Sequence, residues 1–305
     1  MSTVRPIISL CIPTNGIIEW LVPVIESIYN QGVDYTLFEV IVSDNGDNEK
    51  VQDIMLDYVN RYPNFIYKKN KSFMFYNQLE ALKLASGCYL KLVNHRAVFE
   101  QDALKRMIEI IKDNMNDKNI MYFSNGVLKQ EKYSLSSFDQ FVKTLGIYVS
   151  WTTGVGIWKE HFDSLPQDLH IDRISPHSCI LFSKRHHNKY LIYNYEFSKQ
   201  VNVDQTKKGN YDLFKAFCLE EITIAQNLYI DGDITSCTLK SVINDYKKFV
   251  SRLYLDYIIK KEKCSYDLSG FNANTGIYFS KYQIIFGAVI FGIKGLVKKL
   301  LFWVK

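Results

Sequence analysis

Three short apolar runs in this chain end in residues that can do chemistry. Ile7 to Ile12 runs into Pro13-Thr14-Asn15-Gly16, Phe38 to Val42 into Ser43-Asp44-Asn45-Gly46-Asp47, and Tyr89 to Val93 into Asn94-His95-Arg96. In an open α/β sheet, ligands bind outside the carboxyl ends of the strands, so these polar ends face whatever the protein binds. A carboxylate at Asp44 can accept hydrogen bonds from a base N–H or from the ribose hydroxyls of a nucleotide. The alternative is that Asp44, Asn45 and Asp47 cap the next helix, as short polar residues do. Neither G-x-G-x-x-G nor G-x-x-x-x-G-K-[ST] follows any of these strands, which argues against a dinucleotide or P-loop site.

The elements between these ends alternate. Leu21, Val24, Ile25 and Ile28 recur at helical spacing after the first strand, and Val51, Ile54, Met55 and Tyr58 after the second, closed by Pro63. Phe65 to Tyr67 reads as a third strand, and Leu79, Leu82 and Leu84 mark a helix ended at Gly87. Strands alternating with helices imply parallel βαβ units with right-handed crossovers, hence an α/β fold. Ala103 to Ile111 is an amphipathic helix, and Lys118 to Phe123 a further strand. Residues 124–150 carry no clear period and read as a loop or lid. Tyr211 to Ala225 and Tyr246 to Ile259 are helical in pattern.

Composition bounds the class. A chain of 305 residues with 47% apolar and 23% charged residues is an ordinary folded protein with room for a sizeable core. The net charge of +5 equals the five lysines of residues 281–305, a segment without an acid. The rest is balanced, which excludes a broad nucleic-acid-binding face. The six cysteines form no C-x-x-C pair and read as buried free thiols of a reducing compartment. Met1 to Arg5 leads into a strand with no cleavage pattern, so the expected location is cytoplasmic.

Read together, Ile8-Ser-Leu-Cys-Ile-Pro-Thr-Asn15, Glu39-Val-Ile-Val-Ser-Asp-Asn45, Asn70, Asn77 and Ala85-Ser-Gly-Cys-Tyr-Leu90 resemble the nucleotide-sugar domain of family-two inverting glycosyltransferases, in particular the bacterial branch that builds O-antigen and capsule repeat units. The resemblance covers roughly residues 7–110. It implies a GT-A-type, mostly parallel sheet with helices on both faces in residues 1–200. It further implies that Pro13, Thr14 and Asp44 contact the base and ribose of the donor, and that Asn70 and Asn77 line its pocket. Ser150-Trp-Thr-Thr-Gly-Val-Gly-Ile-Trp158 resembles the segment beneath donor sugar and acceptor, which gives Trp151, Thr152 and Thr153 an acceptor role; Trp151 either stacks on a sugar ring or is buried.

The chain departs from the family where the resemblance leads one to expect Asp-x-Asp, the carboxylates that hold a divalent cation against the donor diphosphate. Asn94-His95-Arg96 stands there instead. Mg²⁺ or Mn²⁺ wants oxygen ligands, preferably anionic, and a guanidinium repels a metal. No metal or other cofactor is therefore expected. Arg96, helped by His95, is expected to pair with the diphosphate directly; the alternative is a site that no longer transfers anything, in a nucleotide-sugar-binding or scaffold subunit. An inverting transfer needs a general base. In relatives this is an Asp or Glu beyond the Gly-containing segment, and the candidates are Asp172 and His177, an imidazole having an unperturbed pKa near ~6.5. His186-His187 reads as a surface turn.

The remainder divides into a helical region, 201–280, that packs on the acceptor side, and a tail, 281–305. The uninterrupted apolar run of the tail, Ile284 to Ile293, is ten residues, against the ~20 needed to cross a bilayer. Lys294, Lys298 and Lys305 share one helical face, with Ile290, Ile293, Val297, Leu300, Leu301 and Val304 over much of the rest. That pattern predicts an interfacial helix on an anionic membrane surface, or a helix docked on the domain. An inner-membrane-face location suits an enzyme whose acceptor is a lipid-linked sugar or glycan.

Overall fold

The computed structural model describes residues 5–202 and 204–303. The chain divides into two compact units, Met1–Phe141 with Tyr148–Val203, and Val142–Ile147 with Asp204–Lys305.

The first unit begins β1 (Ile8–Thr14), α1 (Ile18–Tyr29), β2 (Phe38–Asp44), α2 (Glu49–Arg61), β3 (Phe65–Lys69), α3 (Asn77–Lys83), β4 (Tyr89–Leu92), β5 (Ala97–Phe99) and α4 (Ala103–Asp113). It continues with β6 (Ile120–Phe123), β7 (Lys132–Leu135) and α5 (Phe138–Leu145), whose last residues belong to the second unit, then β8 (Gly156–Trp158), α6 (Lys159–Asp163), α7 (Pro176–Phe182), β9 (Tyr190–Tyr193) and β10 (Ser198–Gln200). The main sheet has the order β3-β2-β1-β4-β8, parallel except for β8, which runs antiparallel to β4. β6, β9 and β7 form a second sheet, and β5 pairs with β10. β1 and β2 are nearly continuous apolar runs because both faces are covered: Ile8, Leu10, Ile12, Val40 and Val42 join one cluster with Leu21, Val24, Ile25 and Ile28 of α1, Val51 and Met55 of α2, and Leu104, Ile108 and Ile111 of α4.

Residues 124–150 are not a loop. They contain β7 and α5, and the spacing of Phe138, Phe141, Val142 and Leu145, all buried, is that of a helix face. Of the cysteines, Cys11 and Cys218 are buried but Cys237 is exposed.

At the amino-terminal edge of the sheet the Ala85-Ser86-Gly87 motif has a structural purpose. The buried Glu39 carboxylate accepts from Ser9 Oγ (2.6 Å), Ser86 N (2.6 Å) and Gly87 N (3.1 Å). A Cβ at residue 87 would lie 2.5 Å from Ser9 Oγ, so only glycine fits.

The second unit is helical. Leu213–Lys215 (α8) passes through a π-turn, Ala216–Glu220, into α9 (Glu221–Ile230); α10 (Ser236–Leu253) ends in another, Tyr254–Ile259, and α11 (Phe271–Asn274) precedes α12 (Lys281–Trp303). α12 docks on α10 by burying Ile284 and Ala288, and a Cβ at Gly287 would meet Ser251 Oγ at 2.4 Å. Its other face, Tyr282, Phe286, Val289 and Ile293, is exposed. The side chains of residues 296–305, Lys298 and Lys305 among them, lie outside the described residues. No described helix is long and apolar enough to cross a membrane.

One buried charge stands out in the first unit. Lys91, in β4, is 1% exposed, and its Nζ donates to the carbonyls of Leu92 (3.0 Å), Val155 (3.3 Å) and Thr153. Burial pushes this ammonium down to about 7. The unfolded chain keeps a lysine protonated to about 10.4, so between those values the unfolded state binds more protons and stability rises with pH. Urea unfolding should therefore show a gain between pH ~7.5 and ~9.5 of up to about 1.4 kcal/mol per pH unit, absent in Lys91→Met; an equal gain in that variant would assign the slope to other groups.

Candidate active site

The carboxyl ends of β1, β2, β3 and β4 meet at one edge. The parallel register sets Thr14 opposite Asp44 and Asp44 opposite Lys69. From the sequence Asp44 either meets a nucleotide or caps the next helix, and in the structure its carboxylate is fully engaged by protein groups. Oδ1 accepts from Gly46 N (2.8 Å), and Oδ2 from the Tyr67 hydroxyl (3.0 Å) and Lys69 Nζ (2.9 Å), leaving the side chain 0% exposed. Burial, then the neighbouring carboxylate, push the Tyr67 phenol up. Sequence reading missed Tyr67 and Lys69, whose only signal is the pairing of β3 with β2.

Asn70 and Asn77 hold the edge from within. The buried Asn77 amide donates to Thr14 O (3.1 Å) and Ser43 O (2.7 Å), and its oxygen accepts from Ser43 Oγ (2.7 Å) and Asn70 Nδ2 (2.9 Å). Asn70 Oδ1 in turn accepts from Ser72 N (2.8 Å). Asn45 Nδ2 bridges Ser72 O (2.9 Å) and Met74 O (3.0 Å), which fixes a loop whose Met74 has φ +46°.

At the end of β4, Asn94 Oδ1 accepts from Arg96 N and Arg96 Nε, both at 3.1 Å. The Arg96 guanidinium carbon lies 5.4 Å from the centroid of the Trp20 ring, a cation–π distance. His95 meets Trp20 edge-on at 5.2 Å and shares a 2.8 Å hydrogen bond, through Nδ1, with Thr14 Oγ1. Burial, then the charge of Arg96, push the His95 imidazole down to about 3. Burial and Arg96 thus favour the neutral imidazole, which weighs against the expectation that His95 helps Arg96. Pro13 completes this edge on β1, opposite Ser43.

These residues do not fit a divalent cation. The one amide oxygen already faces a guanidinium, the imidazole is tied to Thr14, and among the described residues no three His, Cys, Asp or Glu side chains form an all-protein metal cage.

The acceptor candidates form a turn held from behind. Lys91 binds Thr153 O, His177 Nε2 bonds Ser150 O (2.8 Å), Ser178 Oγ bonds Val149 O (3.1 Å), and the Tyr122 hydroxyl takes Tyr148 O. A Cβ at Gly154 would fall 2.0 Å from the Tyr122 ring. Thr152 and Thr153 are half-buried in the turn, while Trp151 is 41% exposed and packs edge-on against Tyr148 at 4.7 Å.

The two base candidates part company here. His177 is buried, its Nε2 is engaged and its Nδ1 has no partner; burial pushes it down to about 4. It fixes the turn at Ser150 and does not present a basic nitrogen to a hydroxyl. Asp172 is half-buried, with Oδ1 accepting from Ile174 N (2.7 Å) and Ser175 N (3.0 Å). The preceding residue, Ile171, is tied by its carbonyl to the Tyr76 hydroxyl (3.2 Å), next to the loop that Asn45 pins. His161 and His187 have ring centroids 6.1 Å apart.

The model of the family described as glycosyl transferase family 2 matches residues 9–191, the greater part of the chain and all of this edge. The chain belongs to glycosyl transferase family 2. Among curated proteins none matches it. Among solved structures it is similar to S. aureus TarS 1–349 in complex with UDP-GlcNAc (14% identity, 92% of this chain and 79% of that one, TM-score 0.59). The same protein with UDP gives 14% identity, 88% and 75% coverage, and a TM-score of 0.59. In a further TarS structure (14% identity, TM-score 0.54) the match covers 84% of this chain but only 46% of that one, so this chain spans under half of it. The fold is accordingly the GT-A α/β fold, with a mostly parallel sheet and a helical C-terminal region.

General-base loss typically costs 10²–10⁴-fold in rate. Asp172→Asn should therefore slow transfer by about a hundredfold or more with donor affinity unchanged. His177→Gln should instead lower folding stability by about 1–3 kcal/mol, read by urea unfolding. A silent Asp172→Asn would remove this residue from the chemistry.

Proposed function

We propose that this protein transfers a sugar from a nucleotide-sugar donor to a lipid-linked or surface-glycan acceptor, inverting the anomeric centre, in the synthesis of a bacterial O-antigen or capsule. The carrying observation is the edge itself: in a glycosyl transferase family 2 chain, one guanidinium, Arg96, stands beside the Thr14–His95 pair at the strand ends, with the exposed Trp151 on the turn packed behind β4. In the step we envisage, Asp172 takes the acceptor hydroxyl proton as its oxygen attacks the anomeric carbon. The bond from that carbon to the diphosphate oxygen breaks, and the nucleoside diphosphate leaves with the electron pair. Arg96 offsets the charge developing on it. Pro13 and Thr14 hold base and ribose, Asn70 and Asn77 keep the pocket walls in register, and Trp151, Thr152 and Thr153 meet the acceptor.

A second reading, a nucleotide-sugar-binding subunit without turnover, is favoured by Asn94-His95-Arg96 standing where carboxylates are expected. Binding of sugar nucleotides with no transfer to lipid-linked acceptors would establish it.

Two tests follow from the charges. Isolated buried charge is strongly disfavoured, and a charge-assisted pair contributes about 1.5–3 kcal/mol. Arg96→Ala should thus weaken donor binding roughly ten- to hundredfold by calorimetry, while EDTA changes it little; a strong EDTA effect with a silent Arg96→Ala would refute metal-independent binding. Exposed Tyr282, Phe286, Val289 and Ile293, with Lys281 and Lys294 on the same helix, support docking of α12 on the cytoplasmic face of the membrane. Phe286→Glu with Ile293→Glu leaves the docked face intact and should abolish sedimentation with anionic vesicles. Undiminished sedimentation would show that another surface is used.

A further inference from the structure

The peptide group that joins Ile171 to Asp172 is gripped at both ends. Its carbonyl oxygen accepts from the Tyr76 hydroxyl at 3.2 Å, and its N–H donates to Cys179 Sγ at 3.3 Å. A peptide group is planar, so two opposed bonds fix its plane and with it the direction in which the Asp172 side chain leaves the backbone. That side chain is fixed in turn. Both of its hydrogen bonds, from Ile174 N and Ser175 N, land on Oδ1, which leaves Oδ2 for a proton. These bonds matter because residues 164–175 form neither helix nor strand. A side chain on such a segment is placed only as well as its anchors place it.

The two anchors come from different elements. Cys179 lies in the first turn of α7, where the neighbouring His177 and Ser178 bond the carbonyls of Ser150 and Val149, beside Trp151. Tyr76, half-buried, comes from the row of strand ends. It closes a single 3₁₀ turn, Met74–Tyr76, whose first carbonyl is held by the Asn45 amide. The next residue is Asn77, tied to Thr14 O and Ser43 O. One tyrosine hydroxyl thus joins the strand-end row to the backbone of Asp172.

We propose that Tyr76 is a positioning residue for the transfer: its hydroxyl holds Asp172 in register with the strand ends where the donor lies, so that Oδ2 reaches the acceptor hydroxyl at the anomeric carbon. This rests on the reading of Asp172 as the general base. A base must come within about 2.6–3.2 Å of the group it deprotonates, and a misplacement of about 1 Å costs up to about a hundredfold in rate. The reaction is followed as nucleoside diphosphate release from UDP-GlcNAc, UDP-glucose, dTDP-glucose or GDP-mannose, whichever is turned over, with water as the acceptor. A water oxygen then attacks the anomeric carbon, Asp172 takes its proton, and the diphosphate leaves with the electron pair. Tyr76→Phe deletes one oxygen and should lower kcat about tenfold or more, while the donor Kd, read by calorimetry, stays within about twofold. In an Asp172→Asn background the same change should cost nothing further, because a base that is gone gains nothing from being placed. An unchanged kcat, a donor affinity that falls in step with it, or a loss that multiplies with that of Asp172→Asn overturns the inference alone. A silent Asp172→Asn overturns the base reading and the inference together, as does turnover of none of these donors.

Discussion

The side-chain amide of Asn77 ties together the ends of the two central strands, and the site depends on it. Buried at the start of α3, it donates to the last carbonyl of β1, Thr14 O, and to Ser43 O one residue before the end of β2, and accepts from Ser43 and Asn70. Thr14 O also accepts from Asn45 N (3.1 Å), so the amide reinforces strand ends the backbone already joins, and its loss would strip the buried Ser43 hydroxyl of its acceptor, at a cost of about 1–3 kcal/mol. With those ends fixed, Thr14 and Asp44 stay in register, and the Asn45 loop and Lys69 take their places from that row.

Charge then decides what the edge can hold. Asp44 contributes no accessible negative charge because Lys69, Tyr67 and Gly46 cover it, and burial disfavours a positive one on His95. Arg96, half-buried between Asn94 and Trp20, is the guanidinium at the end of β4. A site arranged this way suits a dianionic leaving group better than a hydrated cation. The turn behind β4 is built on the same economy of charge: one buried ammonium, Lys91, gathers carbonyls from the turn and from its own strand.

Much of the α/β framework was legible because parallel strands buried on both faces read as apolar runs, and the polar residues that interrupt them mark the ligand edge. Thr14, Asp44 and Asn94 to Arg96 were singled out that way. What escaped was set by contacts distant in sequence. The helix over Phe138 to Leu145 carries a readable period, but its polar neighbours masked it. Lys69 looked like any strand-end lysine until the β2–β3 register set it on Asp44. His177 looked like a base because its reference pKa suits the task; burial beneath Ser150, which no local pattern announces, removes that capacity.

The central claim is that a guanidinium, rather than a metal held by carboxylates, neutralises the donor diphosphate. The most direct test is a crystal structure of the protein with UDP grown in excess Mn²⁺, read by anomalous scattering. The account requires Arg96 nitrogens within about 2.7–2.9 Å of phosphate oxygens and no anomalous peak at the end of β4. A manganese peak bridging the phosphates to a protein carboxylate, with Arg96 turned away, would contradict it.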